Sequence, residues 1–157
     1  MNENIKQRIS LFAENMQAIK KNFIWQNAMA KRMSALLYAL KDTEINSEAI
    51  HEAHELIKNN TGIFSAFRGN MALCIAAFLS LNNNREGLLS NTLFVYEMLK
   101  KAKLRSSDFL VIAAYLIAAN ARPEQYREIT ERTCAFYDRS EERRVGKECR
   151  SRWSPYH

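Results

Sequence analysis

The sequence predicts an all-α fold of about seven helices. Three observations carry that prediction. Breakers are scarce: before residue 139 the only glycines and prolines are Gly62, Gly69, Gly87 and Pro123. Apolar residues recur at steps of three and four along most of the chain, the spacing of one helix face. No alternating apolar and polar run of strand length stands out.

The elements follow in order. Ile5, Ile9, Phe12, Met16 and Ile19 form one stripe and predict a first helix buried along it. Trp25, Met29, Met33, Leu36, Leu37 and Leu40 repeat the pattern for a second. Asn46 is placed to cap a third, with Ile45 and Ile50 as an apolar staple around it, continuing through Ala53, Leu56 and Ile57. After the loop NNTGIFSAFRGN, Met71–Leu81 is apolar all round and predicts a central helix. Asn84 caps the next, through Leu88, Leu93, Met98 and Leu99. The basic loop KKAKLR leads to another buried helix over Ser107–Asn120. Pro123 opens the last, through Tyr126, Ile129 and Phe136.

The chain also repeats itself. RGNMALCIAAFL at 68–79 and RSSDFLVIAAYL at 105–116 stand 37 residues apart and match at Arg68/Arg105, Leu73/Leu110, Ile75/Ile112, Ala76/Ala113, Ala77/Ala114 and Leu79/Leu116. A fainter copy, ALLYAL against AAFLSL, stands 41 residues apart. The expected architecture is therefore antiparallel helix pairs with a solenoid-like, helical-repeat character.

The ending RSEERRVGKECRSRWSPYH, Arg139–His157, breaks this pattern. Read as codons, its opening Arg-Ser-Glu-Glu-Arg-Arg is AGA TCG GAA GAG CGT CGT, which resembles the start of a sequencing-adapter oligonucleotide. The expected organisation is one truncated helical domain over 1–138 and a non-native, adapter-derived tail over 139–157. The tail's six Lys/Arg and three Glu hold +3 of the chain's +6, leaving +3 for the rest. So modest a balance bears on solubility and loose association. Cys74 and Cys134 precede the tail and form no disulfide framework, which suits a reducing cytoplasm. MNENIKQR has no apolar stretch behind it, and the longest apolar runs fall short of the roughly 20 residues of a membrane span. No membrane partner is expected.

Little chemistry is legible. His51 and His54 share a helix face with Glu48 and Glu55 nearby, which makes them weak metal candidates; a solvated polar face is the plainer reading. No catalytic triad, phosphate loop or dinucleotide fingerprint is present, so no cofactor is expected. Trp25, Phe23, Phe64, Phe67 and Phe94 read as core. Lys100, Lys101, Lys103 and Arg105 form one basic patch, and Lys20, Lys21, Lys31 and Arg32 another. Without a stacking platform or a recognition helix, neither points to nucleic acid.

Arg68 and Arg105 sit just before buried helices, where a cation opposes the helix dipole. Two explanations stand. Each Arg, with Asn70 or with Ser106, Ser107 and Asp108, forms part of a polar strip that binds an acidic peptide or small anion. Alternatively, each bridges carbonyls of the preceding helix and locks the repeat.

KKNFIWQNAMAKRMSALLYA, HELIKNNTGIFSAFRGN, LLSNTLFVYEMLKKAK and RSSDFLVIAAYLIAANA are similar to the domain-of-unknown-function family numbered four thousand and three, of Gram-positive bacteria. FRGN followed by RSSDFLVIAAY carries the most specific part. The resemblance implies a soluble, longer protein with further helical units, and no activity. The expected function is a partner-binding or scaffold module without catalysis, taking an unknown protein or small anionic ligand. The competing expectation is a metal-dependent or hydrolytic enzyme whose site needs a missing C-terminal half.

Overall fold

The computed structural model describes residues 3–102 and 104–152, with side chains to residue 140. Lys103 of the basic loop and Trp153 of the predicted tail lie outside the described residues, as do the side chains from 141 onward. The fold is all-α. Among the described residues seven helices follow one another: α1 Glu3–Asn22, α2 Ala28–Leu40, α3 Ser47–Asn60, α4 Ala72–Ser80, α5 Arg85–Lys101, α6 Asp108–Asn120 and α7 Tyr126–Arg152. Short 3₁₀ turns, Ala66–Arg68 and Pro123–Gln125, precede α4 and α7. The α7 backbone runs unbroken across Asp138 and Arg139.

Side-chain caps set most of the starts. Asn27 accepts from the Met29 and Ala30 amides at 2.8 and 3.3 Å and opens α2. Asn46 accepts from Ala49 N at 2.9 Å, Asn84 from Gly87 N at 3.0 Å, and Ser107 from Leu110 N at 3.2 Å. Each such cap contributes about 1 kcal/mol. Ile50 is buried and Ile45 packs on the core, as the staple requires. The α2–α3 turn bends at Asp42, whose φ of 52° is left-handed. Asp is one of the few side chains that tolerates this region, and its carboxylate grips Arg8 through two bonds of 2.9 Å.

The apolar run at 71–81 becomes α4, and α4 is the centre. Leu73, Cys74, Ile75, Ala76, Ala77 and Leu79 are all buried. α1 packs chiefly on α2, α3 on α4 and α5 on α6; α2 also lies along α4, and α7 rests on α5 with a lesser contact to α6. Phe78 of α4 stacks on Tyr115 of α6, with centroids 4.2 Å apart. That contact joins two positions the 37-residue repeat makes equivalent. Removing each large side chain from water here contributes roughly 1.5–3 kcal/mol.

Several expected faces are wrong. In α2 the buried residues are Ala30, Ser34, Ala35, Tyr38 and Ala39, not the larger stripe. Small side chains let α2 lie close to both α1 and α4, and Ser34 returns its hydroxyl to Ala30 O at 2.8 Å. Trp25, Met29, Leu36 and Leu40 consequently face outward. In α1 the stripe is buried at Ile19, but Ile5 and Ile9, in its first two turns, are exposed. Of the five aromatics expected in the core, only Phe23 and Phe67 are buried. Trp25 and Phe64 project from turns and Phe94 from the outer side of α5. Phe136 of α7 is likewise exposed.

Candidate functional site

Two loops enter α4 and α6 from the same edge, and the six predicted site residues lie on them or in the first turn of α6. Phe67 anchors the first loop: it is 1% exposed and meets the Tyr96 ring edge-on at 5.1 Å. The Tyr96 hydroxyl pairs with Ser106 of the second loop at 2.7 Å. Gly69 closes the join. A methyl group there would stand 2.3 Å from Asp108 Oδ1 and 3.1 Å from Ala66 O, so a larger residue would have to turn the Asp108 carboxylate aside. Ser107 is spent as the α6 cap. Asn70 and Arg105 are exposed. The structure thus gathers Arg68, Asn70, Ser106, Ser107 and Asp108 around one seam, with Arg105 at its margin.

The two repeat-equivalent arginines are used differently. Arg68 turns back onto the end of α3. Its Nη2 donates to Lys58 O and, at 2.5 Å, to Thr61 O; its Nε reaches Thr61 Oγ1 at 3.3 Å. These are carbonyls that the last turn of a helix leaves without intrahelical partners. Thr61 hands its own hydroxyl proton to Ile57 O at 2.7 Å. The loop before α4 spans 61–71 and has length to fold back, whereas the loop before α6 spans only 102–107. Arg105 therefore stays in solvent and pairs with no described residue. It lines, with Leu99, Leu104, Phe109, Ala113 and Tyr137, a cavity of about 360 Å³.

Sequence reasoning missed Gly69, Tyr96 and Tyr137. Gly69 lay in plain view between Arg68 and Asn70, but its role depends on a partner 39 positions away. Tyr96 and Tyr137 carried no sequence signal.

The histidines are placed otherwise. His51 stacks on Phe23 with centroids 4.6 Å apart. His54 is half-buried, and burial, then the nearby Lys58, holds its imidazole below the usual value of 6.5. Their acidic neighbours are engaged: Glu52 with Arg85 at 2.7 Å and Glu55 with Lys58 at 2.6 Å. Among the described residues no group of three metal-ligating side chains converges. Cys74 is packed in α4, and burial pushes its thiol up to about 12, which makes it a poor nucleophile at neutral pH. A second cavity, about 550 Å³, lies between Glu52, Ser80 and the asparagines 82–84, where Tyr38 and Ser80 share a 2.6 Å hydrogen bond. A third, about 600 Å³, separates α5 from α7. There the buried Thr130 hydroxyl has no partner among the described residues. Lys100 pairs with Glu97 at 3.2 Å and lies over the Tyr96 ring. Among the described residues no helix is long and apolar enough to cross a membrane.

Comparison with known proteins finds no matching curated protein and no matching solved structure. A family model matches residues 15–143, from the second half of α1 into α7, and so takes in both loops of the seam. On that match over most of its length, the chain belongs to the family described as protein of unknown function (DUF4003).

Proposed function

We propose that the chain is a helical scaffold that binds a protein segment at the margin of the α4/α6 seam and catalyses nothing. The observation that carries this reading is Arg105: an exposed guanidinium, uncommitted among the described residues, beside an apolar cavity. A cavity with apolar walls and a cation at its lip suits an acidic side chain next to a large apolar one. Phe109, 82% exposed, extends the apolar wall outward. Arg68 plays a different part here: it holds the α3 end and the loop against which Asp108 rests.

The test is selection of displayed peptides on the immobilised full chain. The expected result is enrichment of segments pairing Asp or Glu with an aromatic or aliphatic residue, lost on Arg105→Glu and retained on Arg122→Glu. Enrichment that survives Arg105→Glu, or no enrichment from a diverse library, refutes the proposal.

A further inference from the structure

The α1–α2 hairpin presents a second surface, far in sequence from the seam. Trp25 is 96% exposed, Ile24 64% and Met29 57%. Trp25 and Ile24 occupy the turn between the helices, and Met29 is the second residue of α2. Leu36 and Leu40 continue the row along the outer side of α2. The hairpin's own charge over 15–41 has one sign. Between Glu14 and Asp42 the chain has no acidic residue, and it carries Lys20, Lys21, Lys31, Arg32 and Lys41. Lys31 donates to Ile24 O at 2.7 Å, which holds its ammonium beside the turn. Lys20, Lys21 and Arg32 are exposed. The α3 start reaches this end through the 2.9 Å bond from Asn22 to Ser47 and brings Glu48 with it; the balance stays basic.

We infer that this hairpin docks on an anionic lipid surface. A protruding Trp-Ile pair inside a basic collar matches the bilayer interface, where indole rings settle at headgroup depth and lysines meet anionic headgroups. A second copy of the chain is the poorer occupant, since two such faces would oppose like charges. An acidic protein is poorer on shape. Trp25 and Ile24 stand out from a turn, and the larger cavities lie on other helices. A fluid surface takes a protruding side chain without a prepared pocket. The expectation of no membrane partner rested on the lack of a spanning segment, and a peripheral contact needs none.

The test uses the full chain carrying Trp153→Phe, so that Trp25 is the one indole left of the two. Vesicles of phosphatidylcholine alone are compared with vesicles containing phosphatidylserine. The expected result is a blue shift of emission, and quenching by bromolipid, on the anionic vesicles only, weakening as salt rises. Each basic side chain near such a surface is worth about five-fold in affinity, the equivalent of about 1 kcal/mol. Lys20→Glu with Lys21→Glu changes the local charge by four units and should lower partitioning by about three orders of magnitude on that scale. In a parallel sedimentation assay Ile24→Ser with Trp25→Ser should abolish binding while the melting temperature is unchanged. No shift on anionic vesicles, or equal partitioning into neutral ones, overturns the inference. So does a shift produced by soluble polyglutamate and not by vesicles, which would assign the face to an acidic protein.

Discussion

Arg68 and Arg105 stand at matching places in a repeat, and the structure predicts that their loss will be felt very differently. Arg68→Ala removes three donated hydrogen bonds, two of them to carbonyls at the end of α3 and one to Thr61 Oγ1. Bonds from a charged donor contribute roughly 1.5–3 kcal/mol each when buried. The site is only half-buried, and water can replace the guanidinium at the freed carbonyls, so the low end of one such bond is the fair figure for each pair of contacts. Adding the lost complement to the α3 dipole, about 0.3–1 kcal/mol, the total comes to about 2–3 kcal/mol. For a chain of this size 1 kcal/mol moves Tm by roughly 2–4 °C, so the expected drop is about 4–12 °C. Arg105→Ala breaks no described contact and should stay within about 0.5 kcal/mol of the parent. Arg68→Lys keeps the charge but loses the second donor nitrogen, Nε, and with it the bond to Thr61 Oγ1, and should fall between. Calorimetry on the three variants decides the matter. If Arg105→Ala cost as much as Arg68→Ala, or if Arg68→Ala moved Tm by less than about 1 °C, the division of labour drawn above would be wrong.

Two further outcomes are expected. Leu79 is fully buried in α4, so Leu79→Ala should cost about 2–5 kcal/mol in guanidinium unfolding; a cost below about 1 kcal/mol would show that α4 is not the centre of the core. His54 gives a pH dependence with a definite sign. Its folded pKa lies below the usual 6.5, chiefly through burial, so the unfolded chain takes up its proton first. Its contribution is complete above 6.5 and is lost as pH falls toward the folded value. His54→Gln should therefore flatten the stability curve on the acid side of 6.5, and an unchanged slope there would contradict the placement of the ring.

The candidate site was partly legible. The repeat singles out Arg68, Asn70, Arg105, Ser106, Ser107 and Asp108 by putting two polar loops in register, and the structure brings those loops together. Which arginine would be free was not legible. Both precede a buried helix with the same local sequence logic, and the difference arises because α3 ends early enough for its loop to fold back while α5 runs on to Lys101. Gly69 was unreadable for a related reason: its closeness to the Asp108 carboxylate is set by a partner distant in sequence.

From the sequence alone come the all-α class, the caps at Asn46 and Asn84, and the central place of α4. Those depend on periodicity, on local capping chemistry and on a run apolar all round, none of which needs a partner to be recognised. The tertiary structure alone decided which side of α2 is buried. Leu36, Leu40 and Met29 are more apolar than Ala30, Ser34 and Ala35, yet the smaller residues face inward. A helix wedged between two neighbours gains more from close approach than from bulk, and closeness is a property of the neighbours. The same choice leaves Trp25 in the open.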